Sequence, residues 1–287
     1  MGYRFKRNRS DLWIIIHEND GMYNISVNEK YVNIINHFFP ILEGRSPNKW
    51  RISAAHKDMS TLWLPNGCCC QEHIEEFINW CDEVTKNVLW LKLNKKFSEY
   101  FYDELDYCIA SDFNYNFEGG RTEIGEAEYQ LKYNGSNLSN NDKRVLYEFI
   151  TSKMLNNFKY IPINSPLDWC VSPMPANESG KSKIAWKIAE EIGRQKNLPL
   201  IEPIIKCNKP QMKTLPIDEK INVWDKIYCD GSVIINGDVG QKNVIIVDDL
   251  YQSGATMWSY AKFLKSLGAK FVFGVVCVKS LRDSDNT

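Results

Sequence analysis

The sequence predicts an α/β protein, with a parallel sheet flanked by helices over residues 116–287 and a small α+β domain before it over residues 1–115. Three observations carry this. After the first hundred or so residues, short apolar runs alternate with amphipathic segments, as in parallel sheets whose strands are joined by crossover helices. Near the start, two β-branched runs surround an Asp-Gly pair, a strong short-range signal for a hairpin. The chain has 287 residues, enough for two domains with separate cores.

In chain order, "LWIIIHENDGMYNISV" at 12–27 is the hairpin. In "QEHIEEFINWCDEVTKNVLWLKLNKKFSEYF", Ile74, Phe77, Ile78, Cys81, Val84, Val88 and Leu91 recur at three and four residues, which predicts one long amphipathic helix. The Asn- and Gly-rich "ASDFNYNFEGGR" that follows reads as a connector between domains. Then come two helical segments, "TEIGEAEYQLKYNG" and "NNDKRVLYEFITSKML", and a short apolar strand, "LDWCVSPMP". A helix, "SKIAWKIAEEIGRQ", and a strand, "KNVIIVDDL", lead to a helix stopped by Gly268, "TMWSYAKFLKSLG", and a last strand, "KFVFGVVCV". No internal repeat or low-complexity segment interrupts this order.

Bulk properties narrow the classes. The formal charge of -1 recruits neither nucleic acid nor an anionic membrane through the global field, although a local basic patch stays open. No apolar run approaches the length that spans a bilayer, and "LWIII" is too short for a signal-peptide core, so a cytoplasmic protein is expected. Nine cysteines without paired spacing fit reduced thiols. Cys70, His73 and Cys81 fall short of the four recurring ligands that a structural zinc site needs.

The most informative string is "VIIVDDLYQSGATM" at 244–257. An apolar strand ends in Asp248 and Asp249, and a loop of Gln252, Ser253, Gly254, Ala255 and Thr256 opens into a helix. Ligands of open α/β sheets bind at the carboxyl ends of strands. Backbone N–H groups at a helix start, with hydroxyl side chains and a glycine, form a cradle for a phosphate. Carboxylates beside that cradle would repel the phosphate, so they suit hydroxyl donors or Mg²⁺. A phosphorylated sugar meets both demands.

This string resembles the 5-phosphoribosyl-1-pyrophosphate (PRPP) signature of type I phosphoribosyltransferases. The resemblance implies that Asp248 and Asp249 bind the ribose hydroxyls and that Gln252 to Thr256 bind the 5′-phosphate, with Gln252 standing where Thr or Ser is usual. "YQLKYNG" at 129–135, "VSPMP" at a strand end, and Gln211, Leu215 and Asn222 in "KPQMKTLPIDEKINV" are similar to landmarks of the ComF-like members. Together these cover about residues 118–280. The chain departs from that pattern in carrying Glu219 where an Arg is expected, "ANESGKSK" in place of an Arg-rich loop, and no N-terminal zinc ribbon.

"PANESGKS" at 175–182 matches the ATP-binding loop pattern except at its first glycine, where Pro175 fixes φ and offers no N–H. A P-loop NTPase is therefore disfavoured. In the resembling family the loop after the first core strand binds pyrophosphate, which implies that role for Ala176, Asn177, Ser179, Gly180 and Lys181, with Lys183 as an alternative cation. The resemblance also places a mobile lid at 203–238, from which Lys206, Lys209, Gln211 and Lys213 would reach the reaction centre. It implies Mg²⁺ as cofactor, PRPP and an unidentified acceptor as substrates, and a homodimer. Three classes follow: a transferase, a toxin of a bacterial toxin–antitoxin or antiphage system with an antitoxin docking on the N-terminal domain, or a non-catalytic PRPP or nucleotide sensor.

Overall fold

The computed structural model describes residues 2–93, 95–102, 104–176, 183–207 and 215–281. The chain divides into two compact units, Met1–Trp90 and Leu91–Thr287.

The first unit runs β1 (Gly2–Lys6), β2 (Trp13–Asn19), β3 (Met22–Asn28), α1 (Val32–Phe38), α2 (Pro40–Arg45), β4 (Trp50–Ile52), β5 (Met59–Leu64), α3 (Gln71–Lys86) and β6 (Leu89–Trp90). Its sheet has the order β1-β2-β3-β5-β4, antiparallel throughout. The β2–β3 turn places Asp20 and Gly21 at φ 49 and 74, the left-handed pair that a two-residue hairpin needs. Alternate residues Ile14 and Ile16 on β2, Ile25 and Val27 on β3, and Leu62 and Leu64 on β5 are buried, so one face of the sheet makes the core. α3 adds Ile74, Phe77, Cys81 and Val84 to the buried set.

The helix expected to run on past Val88 stops at Lys86. Val88 and Leu91 keep the helical spacing, but Val88, Leu89, Trp90 and Leu91 are all buried, and one stripe of a surface helix cannot bury four consecutive residues. The chain extends instead.

The second unit runs β7 (Tyr107–Phe113), α4 (Glu123–Tyr133), α5 (Asn140–Asn156), β8 (Trp169–Pro173), α6 (Ile184–Lys196), β9 (Glu202–Ile205), α7 (Ile217–Cys229), β10 (Val233–Asn236), β11 (Asn243–Tyr251), α8 (Ala255–Ser266) and β12 (Phe271–Lys279). Strands β7, β12, β11 and β8 lie in that order, and each neighbouring pair is parallel. The unit is thus α/β with a parallel sheet flanked by helices. β9 and β10 form a separate antiparallel pair.

The segment read as a connector is not one. Residues 107–113 form strand β7, buried from Tyr107 to Ala110 and paired in parallel with β12. The polar turn begins only after Phe113 and is closed by a bridge between Tyr115 and Arg121. Thr122 then caps α4, its hydroxyl accepting from the Gly125 N–H at 3.0 Å.

Register assigns the helices to faces. Cys108, Gly274, Ile246 and Ser172 stand side by side across the four strands and point the same way. α8 covers that row: the Tyr260 and Ser172 hydroxyls lie 2.6 Å apart, and a Cβ on Gly274 would sit 2.6 Å from Met257 Sδ. One residue earlier, Val171 points to the other face, where Gly193 of α6 packs so closely that a Cβ would lie 3.1 Å from Val171 Cγ1.

Candidate functional site

Strand β11 is buried from Val244 to Val247 and runs past the end of β8 at Asp248 and Asp249, both half-buried, while staying paired with β12 as far as Tyr251. Successive strand residues alternate in direction, so the two carboxylates start from opposite faces. Asp249 falls on the side of α4, where Lys132 Nζ donates to its Oδ2 at 2.7 Å. The same ammonium lies 3.1 Å from Oε1 of Glu128, one turn earlier on α4 and buried. Asp248 accepts the Asp249 backbone N–H at 2.9 Å.

This arrangement splits the acids electrostatically. Burial alone would raise the Asp249 carboxyl, but the Lys132 charge and hydrogen bond outweigh it and hold Asp249 below the ordinary aspartate value. Asp248 goes the other way: burial first, then the adjacent Asp249 charge, push it well above that value. Burial would lower Lys132, yet Asp249 and Glu128 together keep its ammonium above the ordinary lysine value. Glu128 is raised, mainly by burial. Burial and the Asp249 charge also raise the phenol of Tyr147.

The loop after the acids is shaped by Gly254. It has φ +91 and precedes the first turn of α8, and a Cβ there would fall 2.6 Å from Cζ of Tyr251 and closer still to its hydroxyl. Tyr251 cannot easily yield, because its hydroxyl donates to the Lys92 carbonyl at 3.0 Å and its ring is buried. Lys279 at the end of β12 holds the loop from below, donating to the carbonyls of Gln252 at 2.9 Å and Ser280 at 3.0 Å. The N–H groups of the first turn of α8 have no carbonyl one turn back, leaving a positive helix end beside the acids.

A cleft of about 670 Å³ joins these parts. The acids, Lys132, Tyr147, Gln252 and Thr256 line it together with Met174, Pro175, Ala176, Lys183 and Trp186. Of the five loop residues singled out by sequence, Gln252 and Thr256 therefore face the cleft, while Ser253, Gly254 and Ala255 are buried. Ala176 lines it too, its carbonyl accepting from the Ile205 N–H at 3.0 Å. Asn177, Ser179, Gly180, Lys181, Lys209, Gln211 and Lys213 lie outside the described residues. Lys206 is exposed directly after β9 and is not among the residues lining the cleft.

Lys132 stands inside the landmark string "YQLKYNG", yet the sequence alone gave it no role, nor any to Glu128, Tyr147 and Lys279. A Glu and a Lys four apart on one helix face were visible, but their meeting with an acid 117 residues away was not. Among the described residues no group of three or more His, Cys, Asp or Glu side chains could hold a metal ion. In the first unit, Cys70 Sγ lies 2.9 Å from His73 Nδ1, while Cys81 is buried in the core. No helix among the described residues is long and apolar enough to cross a membrane.

No family model matches the chain, and neither does any curated protein. Among solved structures the chain is similar to the phosphoribosylpyrophosphate synthetase from Mycobacterium smegmatis, with a TM-score of 0.29 and 20% identity. That likeness covers 44% of this chain and 33% of the other.

Proposed function

We propose that the second unit binds PRPP at the end of β11 and catalyses displacement of its pyrophosphate by an acceptor. One observation carries the reading: two adjacent carboxylates near the carboxyl end of a parallel strand line one cleft with Gln252 and Thr256, which flank the left-handed glycine that opens a helix. Asp249 and Asp248 accept hydrogen bonds from ribose hydroxyls, and a sugar reaching Asp249 shares or displaces the Lys132 ammonium. Thr256, Gln252 and the positive end of α8 receive the 5′-phosphate. Lys183, with Asn177, Ser179, Gly180 and Lys181, screens the pyrophosphate, and Lys206, Lys209, Gln211 and Lys213 belong to a segment that closes over it.

In the reaction the bond from ribose C1 to the pyrophosphate oxygen breaks and a bond from C1 to the acceptor forms, with positive charge growing on the sugar. Placing fixed charges around that change is the protein's main contribution. Mg²⁺ binds one or two carboxylates together with substrate phosphates and water, and the Asp248–Asp249 pair fits that donor set. When bound with PRPP it would supply neutralisation of the leaving pyrophosphate.

The test is calorimetric titration of ribose 5-phosphate and of PRPP with Mg²⁺ into the full chain. Binding should weaken at least tenfold in Asp248→Asn with Asp249→Asn. A wild-type chain that ignores both ligands at millimolar concentration sinks the reading. The hold of Lys132 on Asp249 favours a sensor as second reading, because a neutralised acid recognises a sugar without polarising it. Incubation with PRPP, Mg²⁺ and a metabolite extract separates the two: a sensor gains thermal stability with no pyrophosphate released, a transferase releases pyrophosphate once an acceptor is present.

A further inference from the structure

The antiparallel sheet of the first unit buries one face and leaves the other to solvent, and the composition of that outer face is unusual for this chain. Register fixes which residues share it. Arg4, Ile15, Ser26, Thr61 and Arg51 stand in one row across all five strands. On one side of it lies the row Lys6, Trp13, Asn28 and Met59, and on the other Gly2, His17, Asn24 and Trp63. Directly opposed residues point to the same side of a sheet, so these three rows make one surface. None of its strand positions is Asp or Glu, although the whole chain carries 36 acidic against 35 basic residues.

Exposure agrees with this assignment. Arg4, Lys6, His17 and Arg51 are exposed and Trp13 is half-buried. Trp63 is 40% exposed, an uncommon state for so large an apolar ring. The Arg51 guanidinium donates to the side-chain oxygen of Asn48 at 2.7 Å, a neutral partner. Strand spacing and rise put Trp13 and Trp63 roughly 16 Å apart along a diagonal, with the Arg4-to-Arg51 row crossing between them.

We propose that this face binds single-stranded nucleic acid. Cations on a sheet face whose strand positions carry no acid take up phosphates, and the exposed Trp63, with the half-buried Trp13, offers a stacking face to unpaired bases. A duplex keeps its base faces stacked inside and cannot use the tryptophans, so the combination selects single strands. The face belongs to the first unit and the inference does not rest on the PRPP reading of the second.

The test uses the full chain with fluorescein-labelled dT15 and U15, read by anisotropy at about 50 mM salt, and by quenching of tryptophan emission. Wild type should bind at least one of the two oligomers at least tenfold tighter than a duplex of the same length. Reversing Arg4, Lys6 and Arg51 to Glu should weaken binding at least a hundredfold, and the Gln versions should lower the salt slope by about two, at roughly 0.7 for each phosphate no longer neutralised. Trp63→Ala should weaken binding about tenfold with the salt slope unchanged. Circular dichroism confirms that each variant folds, and ribose 5-phosphate titration should be unaltered in all of them. The proposal is overturned if wild type binds neither oligomer, if duplex binds as tightly, or if folded Glu or Gln variants bind like wild type.

Discussion

Replacing Gly254 by Ala puts the geometry of the acid-and-loop site to a quantitative test. Gly254 sits at φ +91, where an L-residue is strained by about 1–2 kcal/mol. The added Cβ would also meet the Tyr251 ring at 2.6 Å from Cζ, so that ring must move and its hydroxyl must give up the Lys92 carbonyl. Losing that hydrogen bond costs about 1 kcal/mol more, for a sum of about 2–3 kcal/mol. Urea unfolding followed by tryptophan emission reads the loss, since Trp258 lies on the helix that the loop opens. Because two units can unfold separately, the transition of the second unit is the one to fit. A thermodynamic cycle with Tyr251→Phe sharpens the test: without the hydroxyl, part of the clash and all of the hydrogen-bond loss are already gone, and Gly254→Ala should cost about 1 kcal/mol less. If Gly254→Ala costs under about 0.5 kcal/mol, or costs the same in both backgrounds, the loop is not held as described.

Two further outcomes follow from the same unit. Lys132→Met should destabilise by about 2 kcal/mol at pH 7, below the figure for fully buried pairs because the Lys132 and Asp249 side chains keep 30% and 22% exposure. In wild type the depressed Asp249 carboxyl contributes stability above its unfolded pKa and loses it as pH falls; without the ammonium burial raises that carboxyl instead, so the deficit should shrink between pH 7 and pH 4, and a deficit that is flat with pH would refute the pairing. Gly274→Val should overpack the α8 face against Met257 and Cys108 by about 1–3 kcal/mol. Met257→Ala should recover part of it in thermal melts, and no recovery would place the obstruction elsewhere.

What could be read in advance depended on how far apart the partners lie in the chain. Asp248, Asp249 and the loop to Thr256 form one short string, and the strand-to-helix passage they mark is visible without any contact. The Asp20-Gly21 turn was visible for the same reason. Strand β7 was not, because its polar end at Ser111 and Asp112 merges with the turn after Phe113, and only pairing with β12 distinguishes strand from connector. The end of α3 was obscured because Val88 and Leu91 continue its period by accident of a buried strand. Lys132, Glu128 and Lys279 act on β11 and its loop from distant segments, so their residue types were evident but their partners were not.

The unequal treatment of the two acids follows from strand geometry and limits what the site can do. Because β11 alternates its side chains, Asp249 starts toward α4 and Lys132 pairs with it rather than with Asp248. Asp248 accepts the neighbouring backbone N–H and lies against the Asp249 carboxylate, so burial and the charge of Asp249 drive its carboxyl upward. One acid is thereby held ionised and the other biased toward the protonated form, which can donate as well as accept a hydrogen bond. Adjacent sugar hydroxyls, each both donor and acceptor, are matched by such a pair better than by two carboxylates. Under the proposed PRPP reading the Lys132 contact leaves the two acids inequivalent toward a sugar, so Asp248→Asn and Asp249→Asn taken singly should weaken ribose 5-phosphate binding unequally.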